Sequence, residues 1–299
     1  MNEPTRSKFA DGWLGPDAIH RSLAAWRPTL SRAAPALAGD DGDGGPILLY
    51  RAFRDVLGDY PAYPSQAIGD CVGHGHGRGL DMLQCVEIAL GADMGFRETS
   101  TEFIYAVSRE VAGILGDRDG SYGSAAVAAM TTIGVASRVT PGCEGAYSGE
   151  RAERWGREGV PPEVKARASG LRLGAAARIT TWVELLAAMK NGYPVTVCST
   201  RGFAAERDRQ GFCAPEGVWG HCMLIAGVRS DRPGACILQS WGPDEPTGPT
   251  SLDQPSYSFW ADKATIEDML AQGDSWALSG APRFVARTLP ERWSYHRAA

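Results

Sequence analysis

The sequence lacks the features that mark several large classes of protein. No apolar run approaches the roughly 20 residues that a membrane-spanning helix needs. The first residues, Met1 to Arg6, do not form the apolar core of a secretory signal. Internal repeats and low-complexity segments are also lacking. We therefore expect a cytoplasmic protein without membrane association, the alternative location being a virion or another large assembly.

The sequence has only a small excess of acidic over basic residues. The 299 residues carry a net charge of −5, and 43% are hydrophobic, which suffices for one domain of two lobes with a sizeable core. Arginines recur in the C-terminal tail, but spaced cations on an acidic protein are weak evidence for nucleic acid, so no nucleic-acid partner is expected. These arginines are Arg283, Arg287, Arg292 and Arg297.

Cysteine is present in an odd number, seven. Cys198, Cys222 and Cys236 fall in apolar, strand-like runs, where a free cysteine behaves as a small hydrophobe. We expect mostly reduced thiols. A Cys143–Cys213 bridge stays open, because the sequence supplies no geometry to decide it.

A glycine-rich helix that begins at a cysteine is the most distinctive stretch. Glycines occupy positions 73, 75, 77 and 79 after Cys71, and an amphipathic run follows at 80–90. Because each glycine costs about 1 kcal/mol relative to alanine in an exposed helix, the pattern predicts a central helix that neighbouring backbone approaches closely. Unpaired N–H groups and the dipole of a helix N-terminus favour a thiolate. Cys71 is therefore a candidate nucleophile.

The second half of the chain supplies the partners that such a thiol needs. Residues 220–228 read as a strand that opens with His221, and residues 236–242 read as the next strand, which carries Gln239. A cysteine, a histidine about 150 positions later and an amide shortly after it match a Cys–His–amide arrangement for nucleophilic catalysis.

With these residues the chain resembles the papain family of cysteine peptidases, as a divergent bacterial or phage-type member. The resemblance is carried by residues 66–71 (Gln-Ala-Ile-Gly-Asp-Cys), 220–228 and 239–242, where Gln-Ser-Trp-Gly stands for the family's Asn-Ser-Trp-Gly. Weaker matches are Ser-Thr-Glu-Phe at the start of a helix and a Gly-Ser-Tyr-Gly segment, at 100–103 and 120–123. Together the matches cover roughly residues 55 to 265.

The resemblance implies an α+β, papain-like two-lobe fold with a groove between the lobes. A helical lobe holds the central helix with Cys71, and a β-rich barrel or sheet holds His221. It further implies that Cys71 is the nucleophile, His221 the base and Gln239 the amide that steadies the imidazole ring. Gln66 and the backbone N–H of Cys71 would form the oxyanion hole, and Trp241 would cover the bond between Gln239 and His221.

Three positions depart from the family pattern. Gln239 is one methylene longer than the family's asparagine. Gln66 lies five positions before Cys71, one fewer than in the family, so Ser65 is an alternative occupant of that place. Asp70 stands where serine is common, and its carboxylate opposes thiolate formation unless backbone N–H groups take up the charge in a helix cap.

The domain organisation follows from composition and from the resemblance. Residues 1–45 are read as an N-terminal extension that ends in an acidic, glycine-rich linker at 39–45. An arm that packs on the body or on a partner is favoured there over an inhibitory pro-segment. Residues 46–279 form the papain-like domain, with a helical lobe at 46–140, a polar crossover at 140–178 and a β-rich lobe at 179–279. Residues 280–299 form a C-terminal tail.

The favoured function is that of a cysteine-dependent hydrolase, a thiol protease that cleaves peptide or isopeptide bonds through a thioester acyl-enzyme. One alternative is a catalytically weak or inactive structural component of a large assembly such as a phage particle, with partners bound through the N- and C-terminal tails. The other is a thiol acyltransferase or amidase. No cofactor or metal is expected, because His74 and His76 would point about 200° apart on a helix and could not share an ion with Cys71.

Overall fold

Helices and an antiparallel sheet make up residues 12–37 and 45–294, the part of the chain that the computed structural model describes. Most of the predicted linker and the tail residue Arg297 lie outside these residues. The helices are α1 Ala18–Ala24, α2 Leu30–Ala33, α3 Arg51–Leu57, α4 Cys71–Ala89, α5 Thr101–Ala112, α6 Gly123–Thr132, α7 Gly149–Glu158, α8 Pro162–Ala168, α9 Trp182–Lys190 and α10 Lys263–Leu270. The strands are β1 Ile47–Leu48, β2 Ala175–Arg178, β3 Val195–Phe203, β4 Pro215–Arg229, β5 Gly234–Leu238, β6 Ser258–Asp262 and β7 Asp274–Ser279.

The strands form one antiparallel sheet in the order β2-β7-β3-β4-β5-β6, and β1 pairs with β4. Strand β4 is central and runs for 15 residues, of which the last nine are buried. Its register with β3 places Ser199 opposite His221 and Cys198 opposite Cys222. The second half of the chain is therefore the β-rich lobe, and the architecture is the α+β fold of two lobes that the sequence predicts.

Helix α4 lies between the lobes and contacts both. Its first 13 residues are buried. A Cβ atom on Gly73 would lie 2.4 Å from the Thr101 carbonyl oxygen of α5, and one on Gly75 would lie 2.8 Å from the Cys222 sulfur of β4. The glycines thus let α5 and β4 approach the helix closely, which confirms the interpretation of the glycine pattern.

The crossover between the lobes contains two helices that the sequence analysis read as polar connection. In α7 most of the charged residues are exposed, whereas Ala152 and Trp155 are buried, and Trp155 belongs to a small core shared with α5. The Ser148 side chain caps the first turn, and Pro162 opens α8, where its missing N–H costs nothing. The sequence analysis described this stretch only as a polar crossover, because its many charges surround a narrow apolar face.

The described ends of the chain pack against its own body. Near the N-terminal end, in α2, the Ser31 hydroxyl donates to Glu184 of α9 at 2.6 Å. In the C-terminal segment, the Trp293 ring is buried and its Nε1 donates to Asp55 of α3 at 2.5 Å. Arg287 pairs with Glu87 of α4 at 3.2 Å.

All seven cysteines are free and buried, so Cys143 and Cys213 are not joined. Within residues 12–37 and 45–294, none of the helices combines the length and apolar character that crossing a bilayer requires.

The contact between α4 and α5 yields a prediction about stability. Gly73→Ala places a methyl group against the Thr101 carbonyl, so we expect the free energy of unfolding to fall by about 1–3 kcal/mol. Gly95→Ala is the matched control, because nothing lies within 4 Å of a Cβ atom there. Urea unfolding of the two variants measures the difference. Equal stability would contradict the close packing of α4.

Candidate active site

Cys71 is the first residue of α4, and its side chain is fully buried. Its Sγ accepts a hydrogen bond from the Cys222 backbone N–H on β4 at 3.3 Å. Burial, the neighbouring Cys222 thiol and the Asp70 carboxylate raise the pKa of Cys71 well above its usual value. In this conformation the sulfur is therefore a neutral thiol at physiological pH, in spite of its place at a helix N-terminus.

His221 is the residue before Cys222 on β4, so the strand places the His221 backbone beside the end of α4 that carries Cys71. Its ring stacks on Trp241 with the ring centroids 4.8 Å apart. Neither ring nitrogen has a hydrogen-bond partner among the described residues. Burial and the nearby charges of His74 and Arg78 lower the pKa of His221 to about 3. The thiol and the imidazole are thus both neutral, and no hydrogen bond joins them.

Gln239 does not contact the imidazole as the sequence analysis expected. Its amide nitrogen donates to the carbonyl of Gly242 at 3.3 Å and to that of Glu245, and its amide oxygen accepts from the Trp241 N–H. The side chain folds back on the loop that follows β5, where its amide nitrogen has the Gly242 and Glu245 carbonyls as acceptors. Trp241 stacks on the His221 ring, but the hydrogen bond between Gln239 and His221 that it was expected to cover is not formed.

Gln66 is buried beside the loop that carries Ser240. Its amide oxygen accepts from the Ser240 hydroxyl at 2.5 Å, and its amide nitrogen donates to the Ile68 carbonyl at 2.9 Å. The alternative occupant, Ser65, is exposed and donates to the Trp241 carbonyl at 2.9 Å. The oxyanion role of Gln66 stays a prediction, since in this conformation its amide groups have protein partners.

Asp70 does not cap α4 through its side chain. Instead, Oδ2 accepts from the Tyr147 hydroxyl at 2.9 Å and lies 3.6 Å from Nε2 of His74. The partners of this buried carboxylate are therefore a phenol and an imidazole, and not the backbone N–H groups of a helix cap, the alternative left open by the sequence analysis. The His76 side chain has a different partner from that of His74: its Nδ1 lies 2.9 Å from the Val72 carbonyl oxygen.

Residues 12–24, called the N-terminal segment below, cover the Cys71 thiol, and the sequence analysis did not predict this. Gly12 and Trp13 donate their backbone N–H groups to the Gly220 carbonyl of β4, both at 2.8 Å. On the other side, Ser121 donates to the Gly12 carbonyl at 2.9 Å and accepts from the Leu14 N–H at 3.1 Å. The segment is thus an extended peptide bound to both lobes at once.

Glycine is required where this segment crosses the thiol. A Cβ atom on Gly12 would lie 2.6 Å from Sγ of Cys71 and 2.6 Å from the Gly69 carbonyl oxygen. The contact explains why Cys71 is fully buried although it lies at the boundary between the two lobes. The sequence carried only a faint signal of it, an aromatic residue directly after a glycine in the N-terminal extension.

Neither a known sequence-family pattern nor a curated protein sequence matches this chain. Solved structures do match. Xylellain, a cysteine protease from Xylella fastidiosa, has a TM-score of 0.63 and 15% identity over 93% of this chain and 99% of its own. The chain has the papain-like fold.

Two papain-like proteins in pro-form are also similar to this chain. Procathepsin B S9 from Trypanosoma congolense has a TM-score of 0.60 and 10% identity over 92% of this chain and 87% of its own. Procathepsin L2 from Tenebrio molitor has a TM-score of 0.56 and 16% identity over 91% of this chain and 78% of its own. At such low identity the likeness concerns the fold.

The glycine contact predicts the reactivity of the thiol. Gly12→Val cannot keep its place against Cys71, so the segment should leave the groove. Alkylation of Cys71 by iodoacetamide should then speed up about tenfold or more, because the sulfur becomes accessible and less desolvated. Peptide mapping by mass spectrometry measures the rate at each cysteine. The matched control is Ala18→Val, an exposed site in the same segment. Equal rates in the two variants would contradict the covering role of Gly12.

Proposed function

We propose that this chain is a cysteine peptidase that hydrolyses peptide or isopeptide bonds, with Cys71 as nucleophile and His221 as general base. The observation that carries the proposal is the binding of an extended stretch of backbone directly over the Cys71 sulfur. A groove that holds one peptide by hydrogen bonds to Gly220 and Ser121 offers the same groups to another. The papain-like fold and its likeness to a cysteine protease support the proposal.

The chemistry begins with proton transfer from Cys71 to His221. The thiolate then attacks the substrate carbonyl carbon, the C–N bond breaks as the imidazolium returns its proton to the leaving amine, and water hydrolyses the resulting thioester. Amides near the thiol would stabilise the oxyanion, and we propose Gln66 for this role after a change of its partners.

The N-terminal segment would keep the enzyme inactive. While Gly12 covers the sulfur, burial favours the neutral form of Cys71 and of His221, so little thiolate exists. Release of the segment admits water and a substrate, which reduces the desolvation that disfavours both charged forms. In this proposal residues 12–24 act as an inhibitory segment, an interpretation that the sequence alone ranked second to a packing arm.

One observation favours a second candidate, a structural or binding protein of a large assembly with the same fold. Both nitrogens of His221 lack partners among the described residues, and the Gln239 amide is occupied within its own loop. A groove whose imidazole is not oriented by a hydrogen bond could still bind peptides without cleaving them. In that case the chain termini would be the natural contacts for assembly partners.

Hydrolysis of a fluorogenic peptide library by full-length Gly12→Val tests the proposed function. We expect turnover that disappears in the same variant with Cys71→Ser and that falls about 100-fold or more in kcat/KM with His221→Ala. Ala18→Val, with the segment in place, should be as slow as the wild type. Turnover that persists without Cys71 would contradict the nucleophile, whereas peptide binding without any turnover would favour the binding protein.

The pKa shifts predict how thiol reactivity depends on pH. In the wild type the raised pKa of Cys71 means that alkylation should rise about tenfold per pH unit from about pH 6 to pH 9, without a plateau. In Gly12→Val a thiolate–imidazolium pair should give a rate that is already high at about pH 6 and nearly flat above it. Both profiles are measured by quenching the alkylation after a series of reaction times at each pH and quantifying modified Cys71 by mass spectrometry. Parallel profiles would contradict the link between burial and protonation.

A further inference from the structure

Two of the buried cysteines face each other across the sheet. Cys198 on β3 lies directly opposite Cys222 on β4. Both side chains are buried, and both belong to the apolar cluster that also contains Cys71 and Trp13. The peptidase chemistry proposed above uses neither of these two thiols. The pair is therefore a candidate site for thiol chemistry of its own.

The backbone geometry brings these two thiols close together. The Cys222 N–H donates to Sγ of Cys71 at 3.3 Å, and the Gly220 carbonyl, two residues earlier on the same side of β4, accepts from the N-terminal segment. The backbone groups of Cys222 thus point away from β3, so Cys198 and Cys222 form a non-hydrogen-bonded pair, the type in which facing side chains are closest. The Cβ atoms of such pairs lie near the lower end of about 4.5–5.5 Å. A disulfide needs about 3.5–4.5 Å, so a small approach of the two strands suffices.

His76 on α4 favours the thiolate form of one member of the pair. Its Nδ1 lies 3.8 Å from Sγ of Cys222, and its Nε2 lies 3.2 Å from the Thr196 hydroxyl. Although burial opposes ionisation, hydrogen bonds from the Cys198 thiol and the His76 ring lower the pKa of Cys222 below its usual value. Burial and the neighbouring Cys222 raise the pKa of Cys198 well above its usual value. One thiol thus ionises readily beside another that stays protonated, the arrangement of an attacking and a resolving cysteine.

Two other buried cysteines show what the pair adds. Cys236 on β5 faces Gly227 on one side and Trp260 on the other, so no thiol lies opposite it in the sheet. Burial raises the pKa of Cys236 to about 12, and burial likewise raises the pKa of Cys85 to about 12. Such thiols are expected to be inert, because oxidation follows thiolate character and exposure.

We propose that Cys198 and Cys222 are a redox-active dithiol, which hydrogen peroxide converts into a cross-strand disulfide once the N-terminal segment has left. The Cys222 thiolate attacks one peroxide oxygen, the O–O bond breaks, and the hydroxide that leaves takes up a proton to become water. The Cys198 sulfur then attacks the resulting sulfenic acid, and its proton leaves with the displaced hydroxyl group as a second water. Two thiols are oxidised by two electrons and one peroxide is reduced to two waters. This inference goes beyond the proposed function and does not depend on hydrolysis.

Peroxide treatment of full-length Gly12→Val with Cys71→Ser tests the proposal, because the competing thiol at position 71 is absent. Free thiols are alkylated in urea, and the unreduced protein is digested with trypsin and chymotrypsin, since Cys213 and Cys222 share a tryptic peptide. Mass spectrometry then identifies linked peptides. We expect a Cys198–Cys222 link that forms about tenfold or more faster than in the Cys71→Ser protein with the segment in place, because the buried Trp13 ring then no longer covers the cluster. Dithiothreitol should return both thiols.

Two cysteine variants in the same background complete the test. Cys236→Ala is the matched control, because it removes another buried strand cysteine and should leave the link and its rate unchanged. Cys198→Ala should leave a sulfenic acid at Cys222 that dimedone traps. The link between the intact cysteines does not depend on the folding of either variant. Absence of the link, a link from Cys222 to a different cysteine, or the same rate with the segment in place would overturn the proposal. Hydrolysis is measured separately with Cys71 intact, so failure of one proposal leaves the other standing.

Discussion

The contact between the backbone of Gly12 and the sulfur of Cys71 is the constraint on which the account of the site depends. It exists because helix α4 delivers a thiol to the boundary between two lobes and because hydrogen bonds from both lobes hold an extended segment over that thiol. Only a residue without a Cβ atom fits at the crossing point. The same contact covers the groove and buries the thiol, and the adjoining Trp13 ring is buried in the same apolar cluster as Cys71.

Burial then determines the protonation of Cys71 and of His221. A helix N-terminus favours a thiolate, yet the pKa of Cys71 is raised, so desolvation outweighs the helix dipole in the covered state. The imidazole of His221 is neutral for the same reason. In the proposed enzyme, covering the site would therefore exclude substrate and keep both groups neutral. We propose that release of the segment reverses both effects.

Local patterns in the sequence predict much of this fold, and distant contacts account for the rest. The glycines after Cys71, the strand that opens with His221 and the helices near 101, 123 and 182 are visible because short-range periodicity and caps define them. The position of the Gln239 side chain could not be predicted from the sequence, because it depends on which backbone carbonyls of the next loop lie near its amide. The pairing of Trp13 with Asp274 spans 261 positions and leaves no local trace. The helices of the crossover were missed because charged residues surround a narrow apolar face.

Amide hydrogen exchange of full-length wild type tests most directly whether the segment occupies the peptide groove. The N–H groups of Trp13 and Leu14 should be protected in the free protein, because both donate to the body. When a peptide aldehyde is bound to Cys71, they should exchange rapidly, while the N–H of Ile225 on β4, between β3 and β5, stays protected. Rapid exchange in the free protein, or unchanged protection of Trp13 and Leu14 with the aldehyde bound, would contradict the account.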